Sequence, residues 1–264
     1  MTQFGYRSLG FGGGEIIRDP YSASFLVVAG GGGNESGQGR DREAGSGGGG
    51  LRTSFGSTSG GGAPAQSDLT INPGTTYTAV VGAGGIGQNQ GATSSLSGSD
   101  IATVSCTGGG YGANVDGTDG GPGGSGGGAW WTPTSGGSGT ANEGYDGDEG
   151  YVNAPYGGAG GGAGGEGNRG TANGPGLAVA ITGASVTYAV GGICNTYDGG
   201  GQNNANGAAN SGTGSSGLAN GGSGVIILRM PAISYTGSTT GSPTVTDDGD
   251  YKVIKFTGDG TYRG

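Results

Sequence analysis

The sequence predicts a mainly β and irregular fold with essentially no α-helix. It is a glycine-rich sandwich of segments packed as polyglycine-II helices, a polyproline-II-like form, with short β-strands and a C-terminal β-hairpin module. Three observations lead there. The 264 residues include 75 glycines and nine prolines, about a third of the chain against roughly 12% in ordinary globular domains. Leu, Ile, Val and Phe together number 37, too few for a conventional apolar core, which needs about a fifth of the chain. No window shows the i, i+3, i+4, i+7 apolar pattern of a helix, because glycine interrupts every candidate.

Along the chain, residues 1–20 read as an N-terminal attachment or assembly segment with a break at Gly10–Gly14 and the pair Ile16–Ile17. Residues 21–230 form the glycine-rich body, and residues 231–264, where glycine thins, form the hairpin module. Runs rich in Val, Ile, Thr or Tyr and bounded by Gly, Asn or Pro predict strands. They are Phe25–Ala29, Leu69–Ile71, Tyr77–Val81, Ile101–Cys106, Leu177–Thr182, Val186–Val190, Val225–Met230 and Tyr251–Thr257. Asp248-Gly249 and Gly258-Asp259-Gly260 are the turn candidates of the C-terminal hairpins.

The tracts between the strands carry a period of three. Gly117, Gly120, Gly123 and Gly126 recur at every third position, as do Gly144, Gly147 and Gly150. The longest series is Gly158, Gly161, Gly164, Gly167 and Gly170. Polyproline-II geometry has three residues per turn, so this spacing puts glycine along one edge, where a neighbouring backbone can touch. One such strand alone has no internal hydrogen bonds. Several side by side can satisfy one another's N–H and C=O groups without a bulky core. Collagen uses the same sterics, but here the glycine phase is lost between tracts and proline is scarce.

Composition also narrows the chemistry. The chain has no histidine, which removes the commonest general base and metal ligand. Paired carboxylates such as Asp247 and Asp248 read as turn formers, and VGAGGIG has neither the Lys nor the following helix of a phosphate loop. The expectation is a protein that is not an enzyme and uses no cofactor and no metal. The net charge of −9, with no basic cluster, argues against nucleic acid. No stretch is apolar and long enough for a signal peptide or membrane span, so synthesis in a cytoplasm without membrane insertion is expected. Cys106 and Cys194 read either as free buried thiols or as a disulfide.

Recognition candidates lie in loops. Trp130 and Trp131, the chain's two tryptophans, sit together in AWWTPTS. Exposed aromatic rings stack on sugars and anchor interfaces, while the alternative is packing at the end of the glycine sandwich or against another subunit. The segment NEGYDGDEGYVNAPY adds Tyr145, Tyr151 and Tyr156. Its Asp146, Asp148 and Glu149 could offer oxygen ligands to calcium but lack the rest of an EF-hand loop, and a solvated acidic loop is the simpler reading. Tyr197 lies in a further loop, CNTYD.

Taken together, FLVVAGGGG (25–33), GGGGLRTS (47–54), INPGTTYTAVVGAGGIG (71–87), ATVSCTGGGYG (102–112), LAVAITGASVTYAVGG (177–192) and GGSGVIILRMP (221–231) resemble the glycine-rich domain of bacteriophage tail fibres and related virion proteins. The likeness is strongest to marine and cyanobacterial phage proteins. The end, TTGSPTVTDDGDYKVIKFTGDGTYRG, resembles the β module that accompanies that domain. The resemblance implies a virion-surface structural or host-recognition role, with virion proteins, further copies of the chain and a host-cell receptor as partners. Related adhesins of T-even-type phages pack polyglycine-II helices into a sandwich and bind hosts through the loops between them. The N-terminal region here does not look like theirs. Alternative readings are a self-assembling extracellular filament, or an ice-binding protein, which would need a flat, regular Thr or Ala face.

Overall fold

The computed structural model describes residues 19–35, 44–114, 118–130, 134–150, 157–168, 173–194 and 204–264. Their regular structure is β: β1 (Tyr21–Val28), β2 (Leu51–Thr53), β3 (Leu69–Ile71), β4 (Thr76–Val80), β5 (Ser94–Gly98), β6 (Ile101–Cys106), β7 (Leu177–Val179), β8 (Val186–Tyr188), β9 (Val225–Pro231), β10 (Thr239–Thr240), β11 (Thr244–Asp248), β12 (Tyr251–Phe256) and β13 (Gly260–Arg263). Helical structure among them is confined to single 3₁₀ turns at Gly60–Gly62 and Ala232–Ser234.

Two antiparallel sheets face each other. One has the order β11-β12-β9-β1-β2, with β3 pairing the start of β1; the other has the order β10-β13-β4-β5-β6. Between them lie Phe25, Val27, Ile226, Leu228, Met230, Ile254 and Phe256 from the first sheet and Tyr77, Leu96, Val104, Cys106 and Tyr262 from the second. The opposite face of the first sheet carries Leu26, Val28, Leu51, Val225, Ile227 and Val253. It is covered by Val179, Ile181 and Tyr188 of the β7–β8 hairpin, with Ala163 and Ala189. This three-layer arrangement explains why FLVV and VIIL are apolar at every position: β1 and β9 are buried on both faces. Each fully buried side chain of this size contributes about 1.5–3 kcal/mol, so the few large apolar residues are concentrated where two cores share one sheet.

The NPGT turn shows how local sequence fixes this frame. Gly74 has φ of +83°, following Pro73, and Thr75 N donates to Asn72 O at 3.2 Å. The turn delivers Tyr77 into the core at 1% exposure, its hydroxyl donating to Asp100 Oδ2 (2.8 Å) and accepting from Asn72 N (2.8 Å). Burial, helped by Asp100, pushes the Tyr77 phenol up to about 12.

Most of the expected strands are present within one or two residues, although the Leu177 and Val186 runs are shorter, and β1 longer, than predicted. β5 gave no sequence signal, because SSLSG has a single apolar residue; its partners β4 and β6 define it. Residues 231–264 form the expected hairpin, β11–β12, around Gly249-Asp250. The turn candidate Gly258-Asp259-Gly260 instead carries the chain from one sheet to the other: β12 pairs β9, while β13 pairs β4 and β10. The C-terminal strands are thereby integral to the same core as the body.

The glycine-rich body continues from one end of this sandwich. β1 leads into Ala29–Gly33, Gly45–Gly50 leads into β2, β4 exits at Gly82, β6 exits at Gly108, and Gly221–Gly224 leads into β9. Their hydrogen bonds rotate among neighbours with a period of three. Ala29 N and Gly32 N donate to Gly50 O and Gly47 O; Gly30 N and Gly33 N to Ala92 O and Asn89 O; Gly31 N and Asn34 N to Gly222 O and Ala219 O, all at 2.9–3.0 Å. Residues 44–50 repeat the pattern: Gly45 and Gly48 reach Gly158 and Gly161, Ser46 and Gly49 reach Ser215 and Gly212, Gly47 and Gly50 reach Gly110 and Thr107. Each segment thus hydrogen-bonds three others in turn, as packed polyglycine-II helices do.

Glycine is needed here for closeness, not for conformation. Gly30–Gly33, Gly45, Gly47–Gly50 and Gly160–Gly162 all keep ordinary negative φ. A methyl at Gly160, Gly161 or Gly162 would land on the carbonyl oxygen of Ser46, Tyr145 or Pro175 respectively. This revises the one-edge expectation: interior segments need glycine on all three faces. Among the periodic glycines, Gly158 and Gly161 face the same neighbour, residues 145–148, whereas Gly164 faces Gly176 and Gly167 faces Ala159. Gly120, Gly123 and Gly126 face Gly127, Gly110 and Gly137; the chain bends at Gly124-Ser125, between Gly123 and Gly126. Gly117 and Gly170 lie outside the described residues.

Candidate recognition surface

The far end of the lattice lies away from the sandwich. The described ends flanking residues 36–43, 115–117, 131–133 and 151–156 stand side by side. Ala44 N donates to Ala113 O (3.2 Å), Ala113 N to Gly128 O (3.0 Å), Ala129 N to Asp148 O (2.9 Å), Gly158 N to Ala129 O (2.7 Å) and Gly45 N to Gly158 O (3.0 Å). Residues 192–194 join this level through Gly160 N to Gly192 O at 3.0 Å. The described flanks of these four segments thus share one end of a backbone framework.

Polar side chains stitch this end together. Asn34 Nδ2 donates to Ala44 O (2.9 Å), Asn34 Oδ1 accepts from Glu35 N (2.8 Å), and Asn114 Nδ2 donates to Glu35 O (3.1 Å). Deeper in, the Ser46 and Ser215 hydroxyls meet at 2.8 Å, and Gly112 N donates to Ser46 Oγ. Isolated Asn or Ser positions in glycine tracts gave no sequence signal for these contacts, since each partner is remote in the chain.

The structure separates the aromatic candidates. Trp130 is 3% exposed and packs with Ala44 and Ala113 in a small apolar cluster under the far end. Its N donates to Thr118 O, and its carbonyl accepts from Thr134 Oγ1. Its ring is therefore enclosed within the chain. Tyr145 is half-buried near the opposite, sandwich-proximal end: its carbonyl accepts from Gly126 N (3.0 Å), and its hydroxyl lies over Gly62. One polyglycine-II turn of about 9 Å separates that level from Ala129 and Asp148, so Tyr145 and Trp130 do not share a site. Trp131, Tyr151, Tyr156 and Tyr197 lie outside the described residues.

The acidic residues nearby serve the backbone. Asp146 Oδ1 accepts from Gly139 N (2.7 Å) and Asp119 Oδ1 from Ser135 N (2.8 Å). Among the described residues, no group of three or more Cys, Asp or Glu side chains converges as metal ligands would. The described groups whose ionisation departs clearly from the ordinary are Tyr77, Asp100, Cys106 and Tyr188. All four belong to the sandwich or the β7–β8 hairpin. Cys106 and Cys194 are both buried and not joined in a disulfide; Cys106 is wholly buried, its Sγ 3.3 Å from Val27 O, and burial pushes its thiol well up.

The root of the lattice holds one buried acid that the sequence did not mark. Glu143, 3% exposed, follows the positive-φ residue Asn142. Its carboxylate pairs with Arg52 of β2 (2.9 Å) and accepts from Thr107 N (2.7 Å), and its carbonyl accepts from Leu51 N (3.1 Å). It ties both sheets to the turn between two lattice segments.

No helix among the described residues is long and apolar enough to cross a membrane. No curated protein and no solved structure matches the chain. A family described as "Glycine-rich domain" matches residues 14–243, the whole of the body whose packing depends on glycine, and the chain belongs to that family.

Proposed function

We propose that the chain is a non-enzymatic structural protein of a phage particle, a fibre or adhesin subunit. It acts at the virion surface, outside the cell, and presents loops to a glycan or outer-membrane receptor of the host. The supporting observation is the division of labour within the fold. A rigid lattice uses its backbone groups internally, and its connecting segments are anchored together at one end. Binding residues commonly lie on loops positioned by such a scaffold. The phage assignment rests on the ordered motifs from FLVVAGGGG to the C-terminal β module. The partners are host receptor, other virion proteins and further copies of the chain.

Because Trp130 is enclosed, recognition is assigned to Trp131, Tyr151, Tyr156 and Tyr197. The test compares adsorption of host cells by the full chain with that of a variant carrying Ala at these four positions. The expected result is lost adsorption with an unchanged thermal melt. Adsorption equal to that of the parent chain would remove recognition from these segments. Labelled antibody that fails to decorate intact particles would refute the virion assignment.

A further inference from the structure

We infer that copies of this chain associate side by side, β6 of one pairing with β11 of the next. The outer edge of β6 has no backbone partner among the described residues. Its sequence, IATVSC, contains no charge and no proline, the devices that commonly blunt an open edge. Its one irregularity, a register shift between Leu96 and Gly98 of β5, falls at Ala102–Thr103 and leaves Val104–Cys106 in regular pairing. The other edges are treated differently. β10 is only two residues long, and β3, β7 and β8, each paired on one side, are three residues each. β2 is covered: Gln66 N donates to Thr53 O (2.9 Å) and Leu51 N to Glu143 O (3.1 Å).

β11 is the second open edge, five residues long against six in β6. Its two acids are already paired within the chain, Asp247 with Lys252 (2.6 Å) and Asp248 with Arg229 (2.8 Å). Besides Asp247, which is exposed but held by Lys252, the exposed residues of β11 are the neutral Thr244 and Thr246, like Ala102 and Thr103 of β6. In a chain of net charge −9, these neutral edges are where two copies meet without like charges opposing.

Geometry completes the match. β6 packs across from β1 and β2 at one flank of the sandwich, whereas β11 lies beyond β12 at the other. One copy can therefore offer both edges at once. β6 runs towards the lattice, entering it at Thr107, while β11 runs away from it towards Gly249. With two copies pointing the same way, the strands meet antiparallel, the more stable pairing. The contact is head-to-tail, so it repeats, and every recognition end faces one direction. The inference stands on the edges alone and does not depend on the virion reading.

The test uses the full chain. Sedimentation or light scattering is expected to give a mass above that of one chain. Two single variants, Ala102→Cys and Thr246→Cys, are then treated with a short bismaleimide, the parent chain serving as blank for Cys106 and Cys194. Cross-linked dimers are expected when the two variants are mixed and not from either alone. A single-chain mass at every concentration would overturn the proposal. So would cross-linking of Ala102→Cys by itself, which would mean β6 pairing with β6.

Discussion

Gly161→Ala isolates the packing argument in one methyl group. Gly161 has an ordinary backbone conformation, so the unfolded-chain effect of Gly→Ala favours the variant by about 0.4–1 kcal/mol. Opposing this, the added carbon would sit on the carbonyl oxygens of Tyr145 and Asp146. Those are backbone atoms of an adjacent lattice segment, with no rotamer to yield, so the segments must part. Overpacking of this kind costs about 1–3 kcal/mol. Separation also weakens Gly161 N to Gly126 O (2.8 Å) and Gly126 N to Tyr145 O (3.0 Å), each worth about 1 kcal/mol. The balance is a loss of about 2–4 kcal/mol, a large part of the roughly 5–15 kcal/mol that holds a typical domain folded. Gly258→Ala is the control, because nothing lies within 4 Å of the carbon it adds; only the unfolded-chain effect acts there, so it should be stabilised by about 0.4–1 kcal/mol. Ala163→Val falls between them, since Ala163 already projects into the apolar cluster of Leu26, Ile227 and Tyr188, whose side chains can adjust. Urea midpoints of the three variants and the parent make the comparison. If Gly161→Ala matches Gly258→Ala, the lattice is not close-packed and the account of the glycine content fails.

Tyrosine absorbance on alkaline titration should reveal Tyr77 ionising near 12 against the ordinary 10.0, beside Tyr188, whose phenol burial also pushes up. The raised folded-state value of Tyr77 makes a stability contribution that is full below pH 10 and disappears as pH rises through 12; loss of the step near 12 in a folded Tyr77→Phe variant identifies it. Asp100 works in the other direction. Desolvation pushes its carboxyl up, but hydrogen bonds from Asn72 Nδ2 (2.6 Å) and the Tyr77 hydroxyl (2.8 Å) outweigh that and hold it below the ordinary 3.8. Its contribution is therefore present above that value and lost as pH falls through the lower, folded one; in acid melts Asp100→Asn should flatten this step, and an unchanged profile would exclude Asp100 as its source. Glu143→Ala strands Arg52 and the Thr107 N–H together. A loss of about 2–4 kcal/mol is expected, at the lower end for a broken buried pair because Arg52 stays partly in water, and a loss below about 0.5 kcal/mol would show that the pair does not anchor the lattice.

The sequence by itself determined that the fold is β and irregular, because glycine destroys helical periodicity while Val, Ile and Tyr cluster in short bounded runs. It also located the core strands, since FLVV and VIIL are too continuously apolar to be half-exposed. Its period of three pointed to polyglycine-II geometry, which depends only on backbone sterics. Tertiary structure alone decided which segments are neighbours: Gly31 with Gly222, Gly48 with Gly161 and Ser46 with Ser215. Side-chain-free segments carry no complementary pattern by which one could name its partner in advance. It also decided that Trp130 is enclosed while Tyr145 stands a turn away, that Glu143 is buried against Arg52, and that β6 and β11 are left open. In each case the outcome is set by which remote backbone occupies the adjacent space, and a residue's own chemistry does not encode that.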